Sequence, residues 1–218
     1  MTAPYSFTRR EDGPGNTISA SHVNELQQAV EEIGGIVFSW GRVADGGYLM
    51  EAYGHAYAGG TSFSADTLYF LPVLIGPGSF TIDLIQTRVS SAGTGGSTAR
   101  IGIYTHNATT YAPDDLVDDI GTIAIDSTGV KTVAYGETIA AATPDYVLWL
   151  ACVLSASASL VATGTTSPSI HPLGAAGTSD GEPYHGYSQS HTYGALPASA
   201  GTLTAITRPI SLILKKGS

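Results

Sequence analysis

The stretch Tyr146-Val-Leu-Trp-Leu-Ala-Cys-Val-Leu154 is an apolar run without a glycine, a proline or a charged residue. We interpret it as a β-strand. An antiparallel strand with one solvated face alternates apolar and polar residues, and this run does not alternate. It therefore predicts a central strand whose second face is covered by another sheet or by another subunit.

Further strand-like segments surround this run at intervals of roughly 8–15 residues, with turn-forming residues between them. They cover residues 68–75, 80–89, 100–104, 121–125, 131–135 and 206–214. Residues 90–97 are expected to form a Gly/Ser loop, and residues 113–119 a solvated acidic loop. The pattern predicts a mainly β fold, an antiparallel β-sandwich of jelly-roll type, over residues 67–218.

A short amphipathic helix is predicted near the N-terminus, after an extended arm. Ser19 is a suitable N-cap, and Gly34-Gly35 supplies a stop, so the helix is about 22 Å long. Its apolar seam consists of Val23, Leu26, Val30 and Ile33. So short a helix is marginal alone in water and must pack, either on copies of itself in a bundle or on its own domain or a larger assembly. Residues 1–37 are thus expected to be an arm and a stem or docking helix, and residues 38–66 a Gly- and aromatic-rich connector.

The composition argues against several classes of protein. The 218 residues carry a net charge of −9, which disfavours nucleic acid as a partner because phosphate binding needs clustered Lys and Arg. No apolar run reaches the roughly 18–20 residues of a membrane helix. No secretory signal is visible, so we expect synthesis in a cytoplasm and export only as part of a larger particle. Cys152 is the one cysteine and is expected to be a buried structural thiol.

Residues 180–193 form a concentrated polar and aromatic segment. Its candidate contacts to a receptor or glycan are Tyr184, His185, Tyr187, His191 and Tyr193. Exposed tyrosines present a flat apolar face with a polar edge, which suits sugar rings and protein partners. The alternative is that these rings close one end of the sandwich or pack between subunits.

The residues that could bind a metal or take part in catalysis do not form a recognised motif. His185 and His191, with Asp180 or Glu182, have a spacing that is weak evidence for a metal site, and none is assigned. No serine lies in a Gly-x-Ser-x-Gly elbow, and no glycine-rich loop has the context of a nucleotide site. We therefore predict no catalytic residues, no metal, no cofactor and no enzymatic activity.

Two stretches resemble proteins of bacteriophage particles. Residues 16–32, Asn-Thr-Ile-Ser-Ala-Ser-His-Val-Asn-Glu-Leu-Gln-Gln-Ala-Val-Glu-Glu, are similar to the N-terminal helix of tail-fibre and minor tail proteins. Residues 68–154, which include Ala-Arg-Ile-Gly-Ile-Tyr and Asp-Tyr-Val-Leu-Trp-Leu-Ala, resemble the β-sandwich head of fibres and receptor-binding tail proteins.

This resemblance implies a homotrimer in the virion. Its stem helices would lie together, and its N-terminal region would attach to tail, baseplate or capsid proteins. The heads would contact a host-surface glycan or protein. A capsid fibre or decoration protein would share this architecture and is the nearest alternative. A free carbohydrate-binding module, or a small hydrolase, is the alternative from another class.

Overall fold

The computed structural model describes residues 48–49, 57–75, 79–139, 147–163 and 185–217. These residues form β-strands and connections, with no helix among them. The strands are β1 (Tyr48–Leu49), β2 (Tyr57–Phe63), β3 (Thr67–Leu74), β4 (Phe80–Ser91), β5 (Thr98–Asn107), β6 (Ala112–Ala124), β7 (Gly129–Ile139), β8 (Val147–Leu154), β9 (Ala158–Thr163), β10 (Gly186–Ser190), β11 (Thr204–Ile206) and β12 (Ile213–Lys216). The predicted stem helix, with Val23, Leu26, Val30 and Ile33, lies outside the described residues.

The strands pair in two six-stranded antiparallel sheets. The first has the order β1-β12-β4-β9-β2, with β7 on the other edge of β4. The second has the order β11-β10-β3-β8-β5-β6. The strands β2-β9-β4-β7 are neighbours in the first sheet, and the strands β3-β8-β5-β6 are neighbours in the second. From β2 to β9 the chain crosses several times from one sheet to the other. The fold is thus mainly β and antiparallel, and this strand order is compatible with the expected sandwich.

Strand β8 is central in the second sheet, between β3 and β5, as its sequence predicts. Its even-numbered residues belong to a hydrophobic core to which strands of both sheets contribute. Cys152 lies in this core and is fully buried, which confirms the expected structural thiol. Burial disfavours the thiolate and raises the pKa of Cys152 to about 12.

The other face of β8 is covered by a connection from the same chain. Val147, Trp149, Ala151 and Val153 pack in a second cluster with Leu196. Leu196 belongs to residues 191–203, which we call the strap. The prediction that another sheet or another subunit covers this face was therefore wrong, because an irregular segment of the same chain supplies the apolar partner.

The acidic segment 113–119 is part of strand β6, so the predicted loop was wrong. Its carboxylates have hydrogen-bond donors: Asn107 Nδ2 donates to Asp114 at 3.3 Å, and Ser199 Oγ donates to Asp115 at 2.7 Å. These partners make the acidic residues compatible with a sheet edge.

The segment 206–214 is also not one strand, since β11 ends at Ile206 and β12 begins at Ile213. Pro209 lies between them and cannot donate a ladder hydrogen bond.

Candidate functional site

The four described candidate residues of the segment 180–193, namely His185, Tyr187, His191 and Tyr193, do not form one surface patch. Tyr184 lies outside the described residues. His185 is 2% exposed, and its backbone N–H donates to the Ile206 carbonyl at 2.9 Å, immediately before β10. Tyr187, on β10, is half-buried against the second cluster. In this arrangement the His185 side chain offers almost no surface to a ligand, whereas Tyr187 offers part of its ring.

His191 and Tyr193 fasten the start of the strap near the opposite end of the second sheet. The His191 backbone N–H donates to the Asp66 carbonyl oxygen at 3.1 Å, and the Tyr193 backbone N–H donates to the Asp66 carboxylate at 2.7 Å. The Tyr193 hydroxyl shares a 2.5 Å hydrogen bond with the Thr98 hydroxyl. Asp66 begins the approach to β3, and Thr98 begins β5. These two candidate residues therefore make intramolecular contacts that hold the strap.

The middle of the strap is attached to the edge strand β6. The Asp119 carboxylate accepts the Nε–H of Arg100 at 2.7 Å and the backbone N–H of Leu196 at 3.0 Å. The hydrogen bond from Arg100 to Asp119 raises the pKa of Arg100. The Tyr104 hydroxyl donates to the Pro197 carbonyl at 2.8 Å, and burial followed by the Asp119 charge raises the pKa of Tyr104. Tyr104 therefore stays protonated as a donor to the strap, and Arg100 stays protonated as a donor to the Asp119 carboxylate that accepts the Leu196 N–H.

A row of rings leads from the second cluster to the surface. Tyr187 lies 5.5 Å from the buried Trp149, and His106 stacks on Trp149 at 6.1 Å between ring centroids. Tyr111 follows His106 at 6.0 Å and is 54% exposed. We call Tyr187, Trp149, His106 and Tyr111 the aromatic row. Trp149 Nε1–H donates to His106 Nδ1 at 3.1 Å, which fits the neutral imidazole with its hydrogen on Nε2.

The exposed end of the row is the tip of the β5–β6 hairpin. The Asn107 side-chain oxygen accepts the N–H groups of Thr109 and Thr110, at 3.0 and 3.1 Å. The Tyr111 N–H donates to the Asn107 carbonyl at 2.7 Å. Tyr111 has a φ of +54°, which is uncommon for a residue with a bulky side chain. Local hydrogen bonds therefore hold an exposed tyrosine in a strained backbone conformation, an arrangement that often accompanies function.

Sequence reasoning did not select His106, Trp149 or Tyr111 as site residues. The turn at Asn107-Ala-Thr-Thr-Tyr111 between two strands was the available signal for the hairpin. Nothing local in the sequence indicates that His106 stacks on Trp149, because the two residues are 43 positions apart. Among the described residues, no group of three or more His, Cys, Asp or Glu side chains is placed to hold a metal ion.

No protein-family model matches this chain, and no curated protein matches it. In the described part of the chain, no helix is long and apolar enough to cross a membrane.

Proposed function

We propose that this protein is a structural protein of a bacteriophage particle, a tail-associated fibre or receptor-binding protein with a β-sandwich head. Residues 1–37 would attach it to other virion proteins, and the head would contact a glycan on the host surface. The exposed, strained Tyr111 at the end of the aromatic row is the observation that carries the recognition role. The assignment to a phage particle is supported by the resemblance of residues 16–32 and 68–154.

The chemistry of the row suits a sugar. A tyrosine ring offers an apolar face to the C–H groups of a pyranose, and its hydroxyl can exchange hydrogen bonds with sugar hydroxyls. Packing of His106 on Trp149 restrains the base of the site, so less conformational entropy is lost on binding. A contact of this size is weak by itself. Several heads that engage one surface together would supply the avidity that attachment requires.

Adsorption to bacterial cells and to purified cell-wall polysaccharide tests the proposal. We expect the full-length protein to bind, and Tyr111→Ala to weaken binding by about tenfold or more. Tyr48→Ala is the matched control, because Tyr48 is also an exposed tyrosine, at 50%, and lies in the first sheet. The proposal is wrong if the unaltered protein binds neither cells nor polysaccharide, or if the two tyrosine variants lose binding equally.

A further inference from the structure

A recess opens on the outer face of the first sheet where β4 changes its neighbour. Along one edge, β4 pairs with β12 at residues 82–86 and with β9 at residues 89–91. Arg88 alternates along β4 with the core residue Val89, so its side of the sheet faces away from the core. The recess has a volume of about 270 Å³, and its lining includes Arg88, Val130, Val161 and Ile213. It is thus an apolar hollow with a cation beside it, the kind of pocket that an anchor side chain of a protein partner fills.

The edge strand β6 presents an apolar side chain that matches this recess. The register between β5 and β6 shifts between Leu116 and Asp118, so Val117 is the extra residue of a β-bulge. A bulge redirects a side chain, and Val117 is 42% exposed. Asp115, two positions earlier, is exposed as well. Its carboxylate accepts a hydrogen bond from Ser199 Oγ and has lone pairs for further donors, so it can also meet a cation.

The two surfaces carry opposite charge. Strands β4, β7 and β12 of the first sheet have more basic than acidic residues: Arg88, Lys131, Lys215 and Lys216 against Asp83 and Glu137. Strands β5 and β6 of the second sheet have the reverse: Asp114, Asp115, Asp118 and Asp119 against Arg100. Complementary charge favours contact between the basic face of one copy and the acidic edge of another, and like charge disfavours contact between two identical surfaces. The charge distribution therefore indicates a second copy of this chain as the occupant of the recess.

We propose that the β6 edge of one head docks on the outer face of the first sheet of the next head. Val117 enters the recess of the neighbouring copy, and Asp115 pairs with Arg88 there. A contact between two different surfaces is heterologous and forms a closed ring when the rotation between copies permits it. The contact is small, so it orients heads that a common stem already holds at high effective concentration. This inference rests on the proposed function, since it takes from it the trimer of heads.

Cross-linking through introduced cysteines in the full-length protein tests the inference. Val117→Cys combined with Val130→Cys places one thiol on each surface at exposed positions, while the native Cys152 is buried. On mild oxidation we expect covalently linked trimers on a denaturing gel, because thiols of neighbouring copies come within disulfide distance. Val117→Cys combined with Tyr48→Cys is the matched control and should leave the chains unlinked. Tyr48 is also exposed on the first sheet, but β12 and β4 lie between its strand and β7.

Charge reversal tests the pairing of Asp115 with Arg88. In the Val117→Cys/Val130→Cys protein, Arg88→Asp should slow cross-linking by about fivefold or more, because two carboxylates then face each other. Asp115→Arg added to the same chain should restore the rate, since every contact then contains the pair with its charges exchanged.

Several results would overturn the inference: no linkage in the Val117→Cys/Val130→Cys protein, linkage through Val117→Cys alone, equal linkage in the Tyr48→Cys control, or no restoration by Asp115→Arg. Adsorption to bacterial cells is measured separately on the same proteins. A protein that adsorbs but does not cross-link keeps the proposed function and loses this contact between heads. A protein that cross-links but does not adsorb keeps the contact and loses the recognition role.

Discussion

At the scale of single residues, the fit between the strap and the second sheet depends on the absence of one side chain. Gly102 lies on β5 beneath Leu196. A Cβ atom at position 102 would lie 2.2 Å from Leu196 Cδ1 and 2.9 Å from the Asp118 carbonyl oxygen. The first contact could be relieved by a rotation of Leu196, but the second involves backbone of the paired strand. Glycine at this position therefore permits both the β5–β6 pairing and the seating of the strap.

We expect Gly102→Ala to lower the free energy of unfolding by about 1–3 kcal/mol, the usual penalty for overpacking. Urea denaturation measures the change. Gly95→Ala is the control, because a Cβ at Gly95 would meet no atom within 4 Å. It should alter stability by no more than about 0.5 kcal/mol. Equal effects of the two substitutions would show that the strap does not pack on Gly102 as described.

At the scale of elements, the strap protects an edge that would otherwise be open. The Leu116 N–H donates to the Ala198 carbonyl at 2.8 Å, and the Ala200 N–H donates to the Asp114 carbonyl at 2.7 Å. The strap thus pairs with β6 for a short distance. An unpaired edge strand is a site for association with other chains, and covering it with a loop is one of the ways in which proteins avoid this. The strap therefore both completes the second cluster and caps the sheet.

Leu196→Ala should loosen the strap, since Leu196 is its buried anchor in the second cluster. We expect a loss of about 2–4 kcal/mol in stability and faster hydrogen exchange at the Leu116 and Ala200 amides. Val117→Ala is a suitable comparison, because Val117 lies on the same edge strand with an exposed side chain. Hydrogen exchange followed by mass spectrometry or NMR distinguishes the variants. Unchanged protection at both amides in Leu196→Ala would contradict the anchoring role.

The strap also shows which parts of this fold the sequence could predict. The apolar run of β8 is a local signal, and it correctly indicated a central strand. The acidic strand β6 was misassigned because the partners of its carboxylates are remote: Arg100 is 19 residues from Asp119, and Ser199 is 84 residues from Asp115. The aromatic row was missed for the same reason, because residues remote in the sequence form it through tertiary contacts. Local composition selected Tyr187 but gave no means of relating it to Trp149, His106 and Tyr111.

At the scale of the whole molecule, attachment to a surface depends on the number of heads that act together. A single contact through Tyr111 would be weak, whereas three heads on a common stem would bind with much greater avidity. The predicted seam of Val23, Leu26, Val30 and Ile33 is the feature that could join the copies. It lies outside the described residues, so trimerisation is a separate proposal from the geometry of the head.

Light scattering on the purified full-length protein tests this proposal. We expect a mass near three times 22.4 kDa. Leu26→Asp should reduce the mass toward that of a single chain, because a charge in the seam would be buried without a partner when the helices associate. Gln28→Asp, two positions further along the predicted helix and off the seam, should leave the trimer intact. A single-chain mass for the unaltered protein would contradict self-association and leave docking on another surface as the role of the helix. If the Leu26→Asp variant is still a trimer, contacts between the heads, and not the helix, hold the copies together.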